Sequence, residues 1–331
     1  MPALAQWSSF SEFVRIGWYT AFSASSQVRT IVTPGLPAEM RTWLRRAVPY
    51  NLVQTVRRIA YFGVAHQCYV CGSRLRTLLP QGYGYPVLEQ LQVVGGMRKE
   101  LDRCPVCHAS DRDRLLKFFL DRKFFDRKEH ASRSGDELRV LHVAPEKSLS
   151  LYLRARQDLA YDVGDLIPDR YYHLRGVLKL DLTSLPFDDG AYELIVANHV
   201  LEHIPDDQRA MAEINRVLAP GGVALLQVPF SLKLPKTIEG LGHETESTRI
   251  CRYGQADHVR LYTMADYMQR LTQAGLAVEL FWAYDHDPGA AAQLRLNPLE
   301  PVFVCSADPA VARQLCETRP SATQRSGTLQ Q

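Results

Sequence analysis

Long apolar runs are absent from the sequence. No stretch approaches the roughly 20 consecutive apolar residues that a membrane-spanning helix needs, so no transmembrane helix is expected. The N-terminal residues MPALAQWSSFSEFVRIGW lack the basic start and the apolar stretch of a signal peptide. We therefore expect a cytoplasmic protein whose seven cysteines are reduced.

The composition is that of a globular protein, but the charge is unevenly distributed. Of 331 residues, 46% are hydrophobic and 23% are charged, and the length suits two domains or one large domain with an appendage. Residues 1–136 hold 20 basic and 11 acidic side chains, whereas the remainder holds 19 basic and 25 acidic ones. A basic front half suggests an anionic partner such as nucleic acid, a phosphorylated substrate or a membrane surface. The alternative is a solvated face whose arginines cover apolar neighbours.

The pattern of the chain changes three times. Residues 1–66 place apolar side chains at helical spacing, broken by Pro49, which predicts two short amphipathic helices. We expect them to pack on the rest of the protein, with peripheral membrane contact as the alternative. Residues 137–306 alternate strand-like and helix-like segments, which predicts a doubly wound, Rossmann-like α/β domain. Residues 307–331 end in polar residues and are expected to be disordered.

The remaining piece, residues 67–136, contains two Cys-x2-Cys pairs. Cys68 and Cys71 form the first pair, and Cys104 and Cys107 follow after 32 intervening residues. Four thiolates complete a tetrahedral zinc shell and leave no open position for catalysis, so we predict a small module with structural zinc. Four coincidental thiols and a redox pair are the alternatives.

Two predicted strands of the α/β part end in aspartate. Asp165 follows the second strand, where a carboxylate can accept hydrogen bonds from both ribose hydroxyls of a nucleoside. Asp181 follows the third strand, where a carboxylate can accept a hydrogen bond from an adenine amino group. Aspartates also stand at strand ends simply because they form turns, and this alternative stays open.

One continuous segment resembles a known family. The run LTSLPFDDGAYELIVANHVLEHIPDDQRAMAEINRVLAPGGVALLQVP is similar to the central part of class I S-adenosylmethionine-dependent methyltransferases, most of all their type 11 branch. The segments CPVCHASDRDRLL, LHVAPE and DHVRLY also resemble a subgroup with an N-terminal Cys-x2-Cys zinc module. The resemblance implies a seven-stranded sheet that binds S-adenosylmethionine. Leu182 would then lie beside Asp181 at the adenine, and Asn198 and His199 would border the cofactor.

The first loop departs from the family pattern. The family has an acidic residue followed by a Gly-x-Gly run, which lets the backbone approach the cofactor closely. Here the loop reads LHVAPEKS, with His142 in the place of the acid and Ala144 and Glu146 among the replacements for glycine. Contacts with the methionine end of the cofactor must therefore differ, and Glu146 could receive its ammonium group. A degenerate fold without activity is the alternative.

The stretch HVLEHIPDD contains the pattern H-x-x-E-H, which some zinc peptidases use. That chemistry needs both histidines on one face of a helix. His199 ends a predicted strand, and His203 lies in the loop before Pro205. We therefore expect these histidines to border the methyl-transfer site or to support its loop, and not to form a peptidase centre.

The segment YGQADHVRLYT lies where the family places its lid and acceptor pocket. His258 is the first candidate for a general base, with His199 and His203 next, because imidazole titrates near neutral pH. Arg260 and Tyr262 could hold an anionic or polar acceptor, unless this is an ordinary surface loop. The leading hypothesis is a methyltransferase for the oxygen or nitrogen of a small molecule or glycan precursor. The alternatives are an RNA methyltransferase that uses the basic, zinc-containing half, and a non-catalytic binding protein.

Overall fold

The computed structural model describes residues 50–126, 137–171, 174–240 and 243–318. The chain forms two compact units, Met1–Val53 and Gln54–Gln331, and the sheets below belong to the second. The helix expected before Pro49 lies outside the described residues. None of the described helices is long and apolar enough to cross a membrane.

The strands and helices are numbered in chain order. The strands are β1 (His66–Gln67), β2 (Arg74–Leu75), β3 (Leu79–Gln81), β4 (Val93–Val94), β5 (Lys99–Arg103), β6 (Leu138–Val143), β7 (Leu159–Asp165), β8 (Val177–Lys179), β9 (Tyr192–Asn198), β10 (Leu218–Gln227), β11 (Phe230–Ser231), β12 (Ile238–Glu239), β13 (Arg260–Thr263), β14 (Ala277–Phe281) and β15 (Val302–Ser306). The helices are α1 (Tyr50–Ala60), α2 (Pro86–Gln90), α3 (Asp111–Phe119), α4 (Lys147–Arg154), α5 (Asp207–Val217), α6 (Glu246–Tyr253), α7 (Met264–Gln273), α8 (Ala283–His286), α9 (Pro288–Gln293) and α10 (Pro309–Cys316).

The main sheet has seven strands in the order β14-β15-β10-β9-β6-β7-β8. Neighbours from β10 to β8 pair in parallel, and β15 is antiparallel to both β10 and β14. The chain builds outward from β6 through β7 to β8, and then returns to the other side of β6 with β9. Strand order therefore reverses between β6 and β9, where doubly wound sheets bind ligands at the carboxyl ends of their strands. The predicted seven-stranded, doubly wound sheet is confirmed.

Both faces of this sheet are buried. Alternate side chains of β9 point to opposite faces, so Ile195 packs with the core that includes α5 and α7. Leu194 and Val196 pack with the core on the other face, which includes α3 and α4. Two apolar layers of this kind explain why the strands of the sheet read as nearly continuous apolar runs.

The helix α3 ties the cysteine segment to the sheet. Its first turn is fixed by a capping box between Ser110 and Asp113, as the S-x-x-D pattern predicts. Its apolar side, with Leu116 and Phe119, belongs to the same core as strand β6. The cysteine segment is thus joined to the α/β part through a shared core.

Two segments differ from what the sequence pattern predicts, and one short strand joins a second sheet. On α1, Val56 and Ile59 are exposed while Arg57 is buried, so the described part of the protein does not cover the apolar stripe that we expected to pack inward. The segment expected to be disordered begins with α10, because Leu315 of this helix enters the sheet core. Strand β4 pairs with β11 in a second, four-stranded sheet, β12-β13-β11-β4.

Candidate active site

The loop after β6 adopts the glycine-like conformation of the family without a glycine. Ala144 has a positive φ of 49°, and its N–H donates to the carbonyl of Gly164 at 2.8 Å. A left-handed conformation costs a residue with a β-carbon about 1–2 kcal/mol. The hydrogen bond to the neighbouring strand helps to hold the turn in place.

His142 lies under this loop and supports Glu146. Its ring is fully buried, with Nδ1 at 2.7 Å from the Tyr161 hydroxyl and Nε2 at 2.8 Å from Glu146 Oε2. Burial alone would raise the pKa of Glu146, but the hydrogen bond and charge of His142 lower it overall. His142 was expected to contact the cofactor. Its burial instead gives it a positioning role behind Glu146, which is the partly exposed member of the pair.

The aspartates at the next two strand ends close their own turns. Asp165 accepts hydrogen bonds from the Ile167 N–H at 2.7 Å and from the Tyr171 hydroxyl at 2.8 Å. Asp181 lies two residues beyond β8 and accepts from the N–H and the hydroxyl of Thr183 at 2.9 and 2.7 Å. These side-chain hydrogen bonds lower the pKa of Asp181. Each carboxylate keeps acceptor positions in addition to those used by its turn.

The end of β9 carries polar groups that the described protein leaves without partners. Asn198 is buried, and neither its amide oxygen nor its amide nitrogen has a hydrogen-bond partner among the described residues. The next residue, His199, has a positive φ of 53°, and its ring nitrogen Nε2 also lacks such a partner. An unsatisfied buried polar group costs about 1–3 kcal/mol, so unpaired groups at this strand end indicate a place for a ligand.

A histidine cluster surrounds one buried glutamate. Glu202 is completely buried in a short 3-10 turn, Leu201–His203, and its Oε1 lies 3.3 Å from His199 Nδ1 and 3.9 Å from His258 Nε2. The rings of His203 and His258 meet edge to face, with centroids 4.6 Å apart. The cluster therefore unites the three candidate bases.

The two histidines of the H-x-x-E-H pattern do not share a helical face. His199 lies outside any helix, whereas His203 ends the 3-10 turn, and α5 starts only at Asp207. The two histidines therefore lack the shared helical face that this peptidase chemistry needs.

Arg260 and Tyr262 lie inside the protein instead of lining an acceptor pocket. The Arg260 guanidinium donates to the backbone carbonyls of Leu201, Ile204 and Pro205, and the Tyr262 hydroxyl donates to Asp207 at 2.6 Å. Both side chains are buried. The expectation that they hold the acceptor is therefore corrected: they fix the turn that carries Glu202.

Arg112 is a site residue that the sequence did not reveal. It comes from α3, donates to the carbonyl of Gly95 at 3.2 Å and lies 3.4 Å from a carboxylate oxygen of Glu300. Its charge acts on both His199 and Glu146. Gly95 itself lies against His199, since an added β-carbon would come within 3.1 Å of the imidazole. The cysteine segment thus supplies one wall of the site, a contact between residues far apart in the chain.

The four cysteines form a compact cluster of their own. The Sγ atoms of Cys68 and Cys107 are 3.6 Å apart, and those of Cys71 and Cys104 are 3.9 Å apart. Four sulfurs at zinc–sulfur distances of about 2.3 Å in a tetrahedron are separated by about 3.8 Å. The observed separations therefore fit a zinc ion.

A comparison with protein families finds a match in the central part of the chain. Residues 165–226 match the sequence model of a family described as a methyltransferase domain. The chain contains a class I methyltransferase domain. The matched segment of this domain runs from the end of β7 almost to the end of β10, and so includes Asp165, Asn198 and Glu202.

Three relatives are similar to parts of this domain. An uncharacterized methyltransferase of Mycobacterium sp. (strain KMS) is 48% identical over 71 residues, which are 20% of this chain and 24% of that protein. Ajmaline N-methyltransferase of Rauvolfia serpentina is 23% identical over 177 residues, 50% of this chain and 54% of that protein. Demethylmenaquinone methyltransferase of Thermus thermophilus is 32% identical over 130 residues, 35% of this chain and 59% of that protein. The chain therefore spans less than two thirds of the length of each relative.

Proposed function

We propose that the protein transfers a methyl group from S-adenosylmethionine to an oxygen or nitrogen atom of a small-molecule or glycan-precursor acceptor. The observation that carries the proposal is the pair of unsatisfied polar side chains, Asn198 and His199, at the point where strand order reverses. In a doubly wound sheet this point is where a ligand binds. The methyltransferase match over residues 165–226 indicates which ligand class to expect there.

The strand ends offer a contact for each part of the cofactor. Asp165 would accept hydrogen bonds from the ribose hydroxyls, because it ends β7 and keeps free acceptor positions. Asp181 and Leu182 would hold the adenine. Glu146, supported by His142, would accept the ammonium group, and the Asn198 amide would gain the partners that it lacks.

The reaction asks little of the protein beyond position and a base. S-adenosylmethionine supplies a methyl group that its sulfonium already activates. In-line attack by the acceptor then depends mainly on alignment. A nearby base helps an oxygen or nitrogen acceptor to lose its proton.

We favour His199 over His258 as that base. His199 directly follows β9, its Nε2 has no partner among the described residues, and its Nδ1 faces the Glu202 carboxylate, which orients the ring. His258 is nearly fully buried, and burial lowers its pKa to about 4. A proton acceptor that titrates so low is a weak base near neutral pH.

The names of two relatives favour a small acceptor. One is named for ajmaline and the other for demethylmenaquinone, so domains with sequences similar to this one act on small molecules. We assign a structural role to zinc, held by Cys68, Cys71, Cys104 and Cys107, since four thiolates leave no coordination position for a substrate.

Calorimetric titration with S-adenosylmethionine tests the proposal. We expect one cofactor per chain, and displacement by S-adenosylhomocysteine, which shares the adenosine and amino-acid contacts. Absence of binding by folded, zinc-containing protein would refute the methyltransferase assignment and favour the non-catalytic alternative.

A further inference from the structure

Glu202 is a buried carboxylate whose charged neighbours are histidines. Its side chain is completely buried, and neither oxygen has a hydrogen-bond partner among the described residues. Arg260, on strand β13, makes no hydrogen bond to the Glu202 carboxylate. That guanidinium donates to three backbone carbonyls and lies near Asp207 and Glu239 instead. The basic groups beside its carboxylate are His199, with Nδ1 at 3.3 Å, and His258, with Nε2 at 3.9 Å. A cation held between such side chains would balance the buried charge of the carboxylate.

The neighbours of Glu202 are those that a metal ion requires. One ligand atom each from Glu202, His203 and His258 lies within 4.8 Å of the other two. Metal–ligand distances of about 2.1 Å place ligand atoms about 3–3.5 Å apart, so small side-chain rotations would complete the geometry. Both ring nitrogens of the buried His258 lack partners among the described residues, as the two Glu202 oxygens do.

The surroundings of His203 add a second argument. Its Nδ1 lies 3.2 Å from the backbone carbonyl of Asp257, which favours a proton on Nδ1 and leaves Nε2 as the nitrogen with a lone pair. Metal-binding histidines commonly donate their other ring nitrogen in this way. The side chain of His203 is also 31% exposed, and so provides a path from solvent to the otherwise buried cluster.

We propose that Glu202, His203 and His258 bind one divalent transition-metal cation. Two imidazoles and one carboxylate are a ligand set that suits Zn²⁺ or Fe²⁺ and leaves coordination positions open. This site is separate from the four-cysteine cluster, whose residues form the other described group with metal-ligand geometry. His199, on the same glutamate, remains outside the ligand set.

The open coordination positions would allow the cation to bind the methyl acceptor. The cluster lies beside the end of β9, where the proposed methyl transfer takes place, so an oxygen or nitrogen of the acceptor can occupy an open position. This role rests on the proposed function, whereas cation binding itself does not depend on methyl transfer.

Titration with Co²⁺ tests the site directly. The full chain, with one zinc already bound by its cysteines, is titrated with Co²⁺ by calorimetry and by visible absorption, without S-adenosylmethionine. Co²⁺ binds less tightly than Zn²⁺ to a given site, so it will not displace the zinc. We expect one Co²⁺ per chain, with absorption that lacks thiolate charge-transfer bands.

Variants assign the binding to these residues. Glu202→Gln and His258→Asn should each weaken Co²⁺ binding more than about 100-fold, at or beyond the upper end of the loss seen when partners of metal ligands are removed. The exposed His243 offers a matched control, and His243→Ala should bind Co²⁺ as the parent does. Thermal unfolding without added metal checks that each variant is folded before its binding is compared with that of the parent.

Two results would overturn the inference. The first is a parent protein that binds no metal beyond its cysteine-held zinc. The second is Co²⁺ binding that survives in Glu202→Gln, or in the partly exposed His203→Ala should the buried variants fail to fold. Because no cofactor is present in this titration, its failure leaves the S-adenosylmethionine titration unaffected, and the reverse also holds.

Discussion

At the residue scale, Asp165 is the side chain on which cofactor recognition depends most directly. It uses two hydrogen bonds to shape its own loop and still presents acceptor positions at the end of β7. Asp165→Ala should weaken S-adenosylmethionine binding by about 1.5–3 kcal/mol, the usual range for a hydrogen bond to a charged group. Calorimetry measures this loss as a rise in the dissociation constant.

The neighbouring Asp169 provides a control for this change. It is exposed in the same loop, and Asp169→Ala should leave the affinity for S-adenosylmethionine unchanged. Equal affinities of parent and Asp165→Ala would show that the ribose lies elsewhere.

His199 sets the expected pH dependence. Burial, followed by the charge of Arg112, lowers the pKa of His199 below its usual value of about 6.5. A base works in its neutral form, so parental turnover should stay level as the pH falls through 6.5 and should drop only at lower pH. His199→Gln should reduce turnover about 10²–10⁴-fold and should remove that drop, as pH–rate profiles of both proteins will show. Near-parental turnover would return the role to His258 or His203.

The sequence predicted the positions of some of these site residues but gave no signal for others. Asp165 and Asn198 could be located because strand ends can be read from apolar runs. The roles of Arg260 and Tyr262 were predicted wrongly because strand β13 has only four residues, too few to show an alternation of apolar and polar side chains. The burial of these two side chains also depends on the turn that they support, which is distant in the sequence. Arg112 acts across a contact between distant parts of the chain, which local pattern cannot reveal.

At the element scale, the helix α3 links the four-cysteine cluster to the sheet. Because Leu116 and Phe119 pack in the sheet core, loss of the metal should weaken the methyltransferase domain as well as the cysteine segment. Cys71→Ser should abolish zinc binding and lower the free energy of unfolding by more than about 2 kcal/mol. Metal analysis and denaturant unfolding measure the two effects.

Cys251 gives the matched comparison, since it is exposed and outside the cluster. Cys251→Ser should keep one zinc and the parental stability. A Cys71→Ser protein that unfolds in two separate steps would contradict the shared core.

The elements that the sequence predicted well are those with long apolar periods or capping boxes. The alternation of strand-like and helix-like segments that the sequence predicts for residues 137–306 appears in the structure as the elements from β6 to β15. Strands such as β4 and β11 have two residues each, and their pairing depends on the folded contacts of the whole chain. Helix α10 was missed because the polar end of the chain dominated the composition of that segment.

At the scale of the whole molecule, three parts of the chain meet at one site. The sheet offers its strand ends, the cysteine segment contributes Arg112 and Gly95, and the segment before β13 contributes His258. Some of the charge of the basic front half is used inside the protein, as in the buried ion pair of Arg114 with Asp102.

Transfer of a labelled methyl group tests the central claim most directly. The purified protein is incubated with S-adenosylmethionine labelled in its methyl group and with a cell extract separated into low-mass metabolites, RNA and protein. We predict that label enters the low-mass fraction, and that Asp165→Ala lowers this incorporation at limiting cofactor. Label that enters RNA alone, or no transfer to any fraction by a protein that binds the cofactor, would contradict the account.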